Sequence, residues 1–156
     1  MKSYTDANQS KKLAEILPLE SADMIWYGIY CGMDGQYHLL SNEYNEFGLI
    51  AMNKEFCKTL FRLGDEHIEW LPCWSLAALL AALPNEIITD NRFECHYQID
   101  IRKYDWYDNT TLYQIAYGNN RGLSGSWHDM VNTGEKENLI DCCVQMIIEL
   151  NKMNLL

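Results

Sequence analysis

Phe93-Glu94-Cys95-His96-Tyr97-Gln98-Ile99-Asp100-Ile101-Arg102 is the stretch that decides the fold class. Phe93, Cys95, Tyr97, Ile99 and Ile101 alternate with Glu94, His96, Gln98, Asp100 and Arg102, the period of two of a strand with one face buried and one wet. A turn-rich stretch, Lys103 to Thr110, follows, and the rhythm resumes over Thr111 to Tyr117 with Tyr113, Ile115 and Tyr117 on the apolar side. Asn119 to Gly122 then turn the chain into Leu123 to Trp127, with Leu123 and Trp127 inward. Three strands over about 93–127 with short connections predict an antiparallel meander whose second face meets water.

Helices supply the cover. From Glu135 to Met153, started by Asn132 or Thr133, an apolar set of Leu139, Cys143, Met146, Ile147, Leu150 and Met153 is widened by Ile140, Val144 and Ile148. The polar strip left over is Asp141, Gln145, Glu149 and Lys152, so this C-terminal helix is expected to lie across the meander. Ser75 caps a helix that ends at Pro84. Leu76, Leu79, Leu80 and Leu83 share one of its faces and alanines fill the rest, which predicts a buried central helix. Asp6 to Leu17 forms an N-terminal helix with Leu13, Ile16 and Leu17 as its apolar edge, halted by Pro18. Ile25–Cys31 and Gln36–Ser41 read as a β-hairpin around Asp34-Gly35. Ser41 to Ala51 reads as loop, and Asn53 to Leu63 as a helix between an Asn cap and Gly64. The result is an α+β fold, expected as a single domain over residues 1–156.

The composition excludes several classes. A net charge of −10, spread evenly along the chain with no basic run beyond Lys11-Lys12 and Arg102-Lys103, argues against direct nucleic-acid binding. The richest apolar run, Ser75 to Leu83, is about half of the roughly 20 residues a membrane span needs, and no membrane association is expected. Met1 to Ser10 is polar and lacks the apolar stretch of a secretory leader, which predicts a cytoplasmic protein. In that reducing setting Cys31, Cys57, Cys73, Cys95, Cys142 and Cys143 are expected as thiols and as buried apolar side chains.

Three stretches carry a likeness: Ser21-Ala22-Asp23-Met24; Leu71-Pro72-Cys73-Trp74-Ser75-Leu76 with Leu79-Leu80 and Leu83-Pro84; and the closing helix from Asp141-Cys142-Cys143 through Met146-Ile147 to Leu150. In this order they resemble a family of short uncharacterised proteins of gut anaerobic bacteria, their phages and mobile elements. The middle stretch is the most specific. Gly35 to Trp70 departs from the family by its length, which makes Asn53 to Leu63 look like an addition. The resemblance implies a fold unit and a genomic setting and carries over no activity, cofactor or site residue.

Reactive groups are thinly arranged. No pair of cysteines stands at ligand spacing, and neither a metal nor a cofactor is expected. Cys73, just before a helix start, is the best nucleophile candidate, but Trp70, Leu71, Pro72 and Trp74 surround it with apolar mass that favours an inert thiol. His96 and Asp100 on the polar face of the first meander strand, Gln114 on the second, and Ser124, Ser126 and His128 on the third define a shallow polar site. Strands one apart from a neighbour stand roughly 9–10 Å from each other, so a relay from His96 to Ser124 is not expected and a solvated face is the plainer reading.

Tyr104, Trp106 and Tyr107 crowd a loop with Asp105, Asp108 and Asn109. So many rings at one tip either fold back on the sheet or present a contact surface. The leading functional expectation is therefore a non-enzymatic accessory module that binds another protein through this loop or the sheet face. The rivals are a small hydrolase or transferase at His96, Asp100, Ser124 and His128, and an acidic nucleic-acid mimic.

Overall fold

The computed structural model describes residues 2–27, 30–31, 37–38, 50–53, 71–89, 95–107, 109–120 and 127–156. It has the α+β class expected from the sequence and divides into two compact units, Ser3–Ala78, and Leu79–Leu156 together with Met1–Lys2.

In the first unit, helix α1 (Ala7–Ala14) is started by a capping box. The Asp6 carboxylate accepts from the Gln9 backbone N–H at 2.8 Å, and the Gln9 side chain accepts from the Asp6 N–H at 3.1 Å. Strand β1 (Met24–Tyr27) is followed by the short strands β2 (Tyr30–Cys31) and β3 (Tyr37–His38), then by β4 (Ile50–Asn53) and β5 (Leu71–Cys73). The expected hairpin survives as the β2–β3 pair, with its Asp34-Gly35 turn outside the described residues. Met24–Tyr27 instead forms the middle of a sheet ordered β4-β1-β5, both pairs antiparallel. Ile50 and Ala51 are thus strand where loop was expected, because pairing with a distant strand supplies what local propensity does not. Asn53 closes that strand, and the rest of the helix expected at Asn53–Leu63 lies outside the described residues.

Ser21–Met24 and Leu71–Ser75 meet in this unit. Met24 stands opposite Cys73, the Trp74 indole N–H donates to Ser21 Oγ at 2.9 Å, and the Asp23 carboxylate accepts from Ser75 N–H at 2.9 Å and from Ser75 Oγ–H at 2.5 Å. Thr5, fully buried, ties the N-terminal segment to the same place: its N–H donates to Trp74 O at 3.0 Å and its Oγ1 accepts from Trp74 N–H at 3.1 Å.

Helix α2 (Leu76–Ala82) contains the division between the units. Ser75 caps it as expected, its Oγ accepting from Ala78 N–H at 3.3 Å. Burial on all sides does not hold: Leu79 is buried while Ala77 and Ala81 are exposed, an arrangement alanine tolerates because a methyl group loses little by meeting water.

The second unit carries the meander with one strand more than expected. Strands β6 (Glu86–Thr89), β7 (Cys95–Asp105), β8 (Thr111–Asn120) and β9 (Trp127–Asn132) pair antiparallel in that order. Trp127 begins β9 where it was expected to end a strand, and residues 123–126 lie outside the described set. Helix α3 (Leu139–Lys152) packs against β8 and buries Ile140, Cys143, Met146, Ile147 and Leu150 completely against a sheet core that includes Ile115 and Tyr117. Each of the Ile, Met and Leu side chains contributes roughly 1.5–3 kcal/mol of transfer free energy. The helix starts at Asn138, later than expected. Before it the chain still runs beside β8, with Tyr113 N–H donating to Lys136 O at 2.7 Å and Lys136 N–H to Tyr113 O at 2.9 Å. Gly134, at φ 65°, makes the turn between these duties.

Candidate functional site

β7 and β8 form a hairpin paired without a break from Gln98–Gly118 to Asp105–Thr111. The strand therefore runs three residues further, through Asp105, into the expected loop, and this separates the three aromatic candidates. Tyr104 is half-buried on the sheet, its hydroxyl donating to Gln114 Oε1 at 3.2 Å. Trp106 and Tyr107 sit beyond the last pair at 54% and 107% relative exposure, so neither folds back. The tip that carries them is braced: Trp106 N–H donates to Thr110 O at 2.9 Å and Asn109 N–H to Trp106 O at 3.0 Å, with Asn109 at φ 64°, a conformation Asn accepts more readily than most residues. At its base Asp105 accepts from Thr111 Oγ1–H at 2.7 Å and from Lys103 Nζ at 2.9 Å, which lowers the acid and raises the amine from their ordinary pKa ranges. Asp108 lies outside the described residues.

The sheet face opposite α3 holds a cluster around Arg102. Its Nε donates to Asp100 Oδ2 at 2.7 Å, Nη1 to Gln114 Oε1 at 3.1 Å, and Nη2 to Asp129 Oδ1 at 2.7 Å. The guanidinium also lies 5.9 Å from the Trp127 ring centroid, within cation–π range. Asp129 further accepts from Trp127 Nε1 at 2.6 Å and from Asn132 Nδ2 at 3.2 Å. Hydrogen bonding to Arg102 first, and then to these neighbours, holds the Asp129 carboxyl below the usual carboxylate range and keeps Arg102 charged. Every charge in the cluster answers another, so the arrangement clamps β7 to β9 across β8 and leaves no activated base or nucleophile.

Two expectations about faces are corrected here. Trp127 lies on the Arg102 face and not inward, because a register shift between Tyr117 and Gly118 moves β9 by one position, and one residue of slip exchanges the faces of a strand. Ile101 is 44% exposed while Asp100 and Arg102 are half-buried. β6 pairs with β7 only as far as Gln98, so from Ile99 onward β7 has no strand on that side among the described residues, and Arg102 and Trp127 cover the other face.

Among the described residues the members of the alternative polar site are not brought together. His96 Nδ1 lies 2.9 Å from Glu86 Oε1 across the β6–β7 pair, and Asp100 is held by Arg102. His128 is paired with Asn119, whose row is the helix-facing one of Tyr117, opposite to His96 and Asp100. Ser124 lies outside the described residues. The missed members of the cluster, Trp127 and Asp129, could have been found only by knowing the bulge.

Cys73 is fully buried, its thiol donating to Thr5 O at 3.6 Å, and burial pushes it up to about 11. The helix it precedes is too short to reverse that. Burial likewise pushes Cys143 up to about 12. Cys73 is therefore expected to stay unlabelled by iodoacetamide at pH 8 in the folded protein and to react on addition of denaturant; labelling at the rate of a free peptide thiol would contradict its placement.

Asp129 sets an acid dependence. Its folded-state pKa is depressed, so its stabilisation is complete above the unfolded value near 3.9 and is lost as pH falls through the folded one. Asp129→Asn is expected to cost about 1–2 kcal/mol at pH 7, and the gap to the native protein should close below about pH 4. Urea melts across that range check it; a gap constant with pH would exclude the charge as its cause.

Among the described residues no group of three or more His, Cys, Asp or Glu is placed to hold a metal ion, and no helix is long and apolar enough to cross a membrane. In comparisons with known proteins, the chain matches no protein-family model, no curated protein and no solved structure.

Proposed function

We propose that this protein acts by binding another protein, with the β7–β8 hairpin tip as its anchor, as an accessory module of the phage or mobile-element setting that the family likeness implies. The observation that carries this reading is the pair Trp106 and Tyr107, both turned to solvent on a tip fixed by backbone bonds. Aromatic side chains exposed on a rigid support lose little conformational freedom on binding and supply much of the energy of protein interfaces. A protein partner fits the charge better than a nucleic acid does, because a field of −10 repels phosphate.

The combined substitution Trp106→Ala and Tyr107→Ala removes surface groups outside the core and is expected to change stability by less than about 0.5 kcal/mol. Used as bait in a lysate of the native host beside the unaltered chain, the variant should lose the captured partner at least tenfold. Equal recovery by both baits rejects the tip. Tyr104 stays in place in this variant, since its bond to Gln114 belongs to the sheet.

A further inference from the structure

The open side of β7 has a property that the aromatic tip does not explain. Trp106 N–H bonds to Thr110 O, and in an antiparallel ladder bonded and non-bonded positions alternate. Tyr104, Arg102 and Asp100 therefore turn their backbone groups to β8, while Ile99, Ile101, Lys103 and Asp105 turn theirs the other way. Cys95 and Tyr97, in the same phase, face Thr89 and Ile87 of β6. Past Gln98 that neighbour ends, so a row of backbone donors and acceptors continues along an edge with no paired strand among the described residues. Ile101, 44% exposed, stands in the middle of the row, and Trp106 and Tyr107 stand at its end.

We propose that this edge, Ile99 to Asp105, receives an extended segment of the partner as an added strand in line with β6. This rests on the reading of the tip as a contact surface and names what the tip anchors. Backbone groups in a ladder select for an extended chain over a helix. The segment is basic and apolar by turns: an apolar side chain covers Ile101, and Lys or Arg side chains meet the exposed faces of Trp106 and Tyr107 within the field of a chain of charge −10.

A second copy of the chain fits poorly in three of the registers this edge allows, while one centred on residue 104 sets Lys103 against Asp105 and is left to the test below. A two-fold antiparallel pairing centred on residue 102 sets Arg102 against Arg102, and one centred on residue 103 sets Lys103 against Lys103, both like charges directly opposed. Centring on Ile101 brings residue 104 opposite Gln98, a place Glu86 of β6 already occupies. Two chains of −10 also repel at longer range.

The experiment uses the full chain against a displayed library of short random linear peptides, with three variants. Lys103→Pro removes an outward N–H, a position where an edge strand accepts proline. Ile101→Lys removes the apolar contact without altering the backbone, and serves if the proline variant loses its fold by circular dichroism. Trp106→Ala with Tyr107→Ala tests the tip. Selected peptides should be rich in Lys, Arg and apolar residues, weaken with salt, and bind both edge variants at least tenfold less tightly. Selection of acidic or helical peptides, or of none, overturns the proposal. So does undiminished binding to the edge variants; if the tip variant alone then loses the peptides, the edge fails and the anchor stands. Loss confined to the edge variants removes the anchor and keeps the edge. Concentration-dependent dimers of the native chain that Ile101→Lys abolishes would give the edge to a second copy.

Discussion

Replacing Trp74 by alanine is expected to destabilise the Ser3–Ala78 unit by about 3–5 kcal/mol, the range for deleting a large aromatic side chain from a core. Trp74 is completely buried, and its surroundings are held from several directions. Its backbone exchanges bonds with Thr5, its indole N–H donates to Ser21 Oγ, and Ser21 in turn donates to Pro18 O at 2.6 Å. Trp26 Nε1 reaches Thr5 O at 3.1 Å and packs edge-on to Tyr4 at 5.5 Å between centroids. Partners tied this firmly cannot collapse into the space an indole leaves, so the cavity remains and its cost stays near the top of the range. Trp74→Phe separates the parts: it keeps most of the ring and loses one neutral hydrogen bond, so about 1 kcal/mol from that bond plus a smaller void is expected. Urea denaturation, with hydrogen exchange along Met24–Tyr27 to locate the effect, measures both. An alanine variant within 1 kcal/mol of the native chain would show that this residue does not organise the unit.

How far the sequence could be read depends on whether the deciding partner was near or distant in the chain. Cys95 to Ile99 alternates in burial as it does in polarity, and Met146, Ile147 and Leu150 of α3, buried where the helix meets β8, announce themselves by their own spacing. The Ser75 cap was legible for the same reason, since Ser75 and Ala78 are settled within a few residues. The strand Ile50–Asn53 was not legible, since β1 defines it across a long separation. Nor was the late start of α3, where Lys136 has a helical pattern around it and a strand partner in Tyr113 that outweighs the pattern. At the candidate site the aromatic tip could be seen from composition, but not which rings belonged to it. Tyr104 differs from Trp106 only in lying before Asp105–Thr111, the last pair of the ladder. The Arg102 cluster was half visible: Asp100, Arg102 and Gln114 share a face by simple alternation, while Asp129 and Trp127 join it through a bulge that no period reveals.

That bulge makes Gly118→Val the second large effect, with an expected loss of about 3 kcal/mol or more from overpacking and the loosened clamp together. A Cβ at Gly118 would stand 2.6 Å from His128 O and as close to the Trp127 ring, well inside van der Waals contact. The need is for an absent side chain: the indole crosses β8 at this point to donate to Asp129 and to lie beside Arg102. Valine would push the ring off the strand, withdraw a donor from Asp129 and expose the guanidinium that Trp127 covers. The acid dependence tied to Asp129 should then weaken along with stability, a coupling that a purely local clash would not produce. Adding Trp127→Ala should recover part of the loss and not all of it, because the backbone oxygen of His128 still meets the new side chain. Full recovery in the double variant would assign the whole cost to the indole; no recovery would assign it to β9's backbone, and Trp127 would then be a passenger on the face it covers.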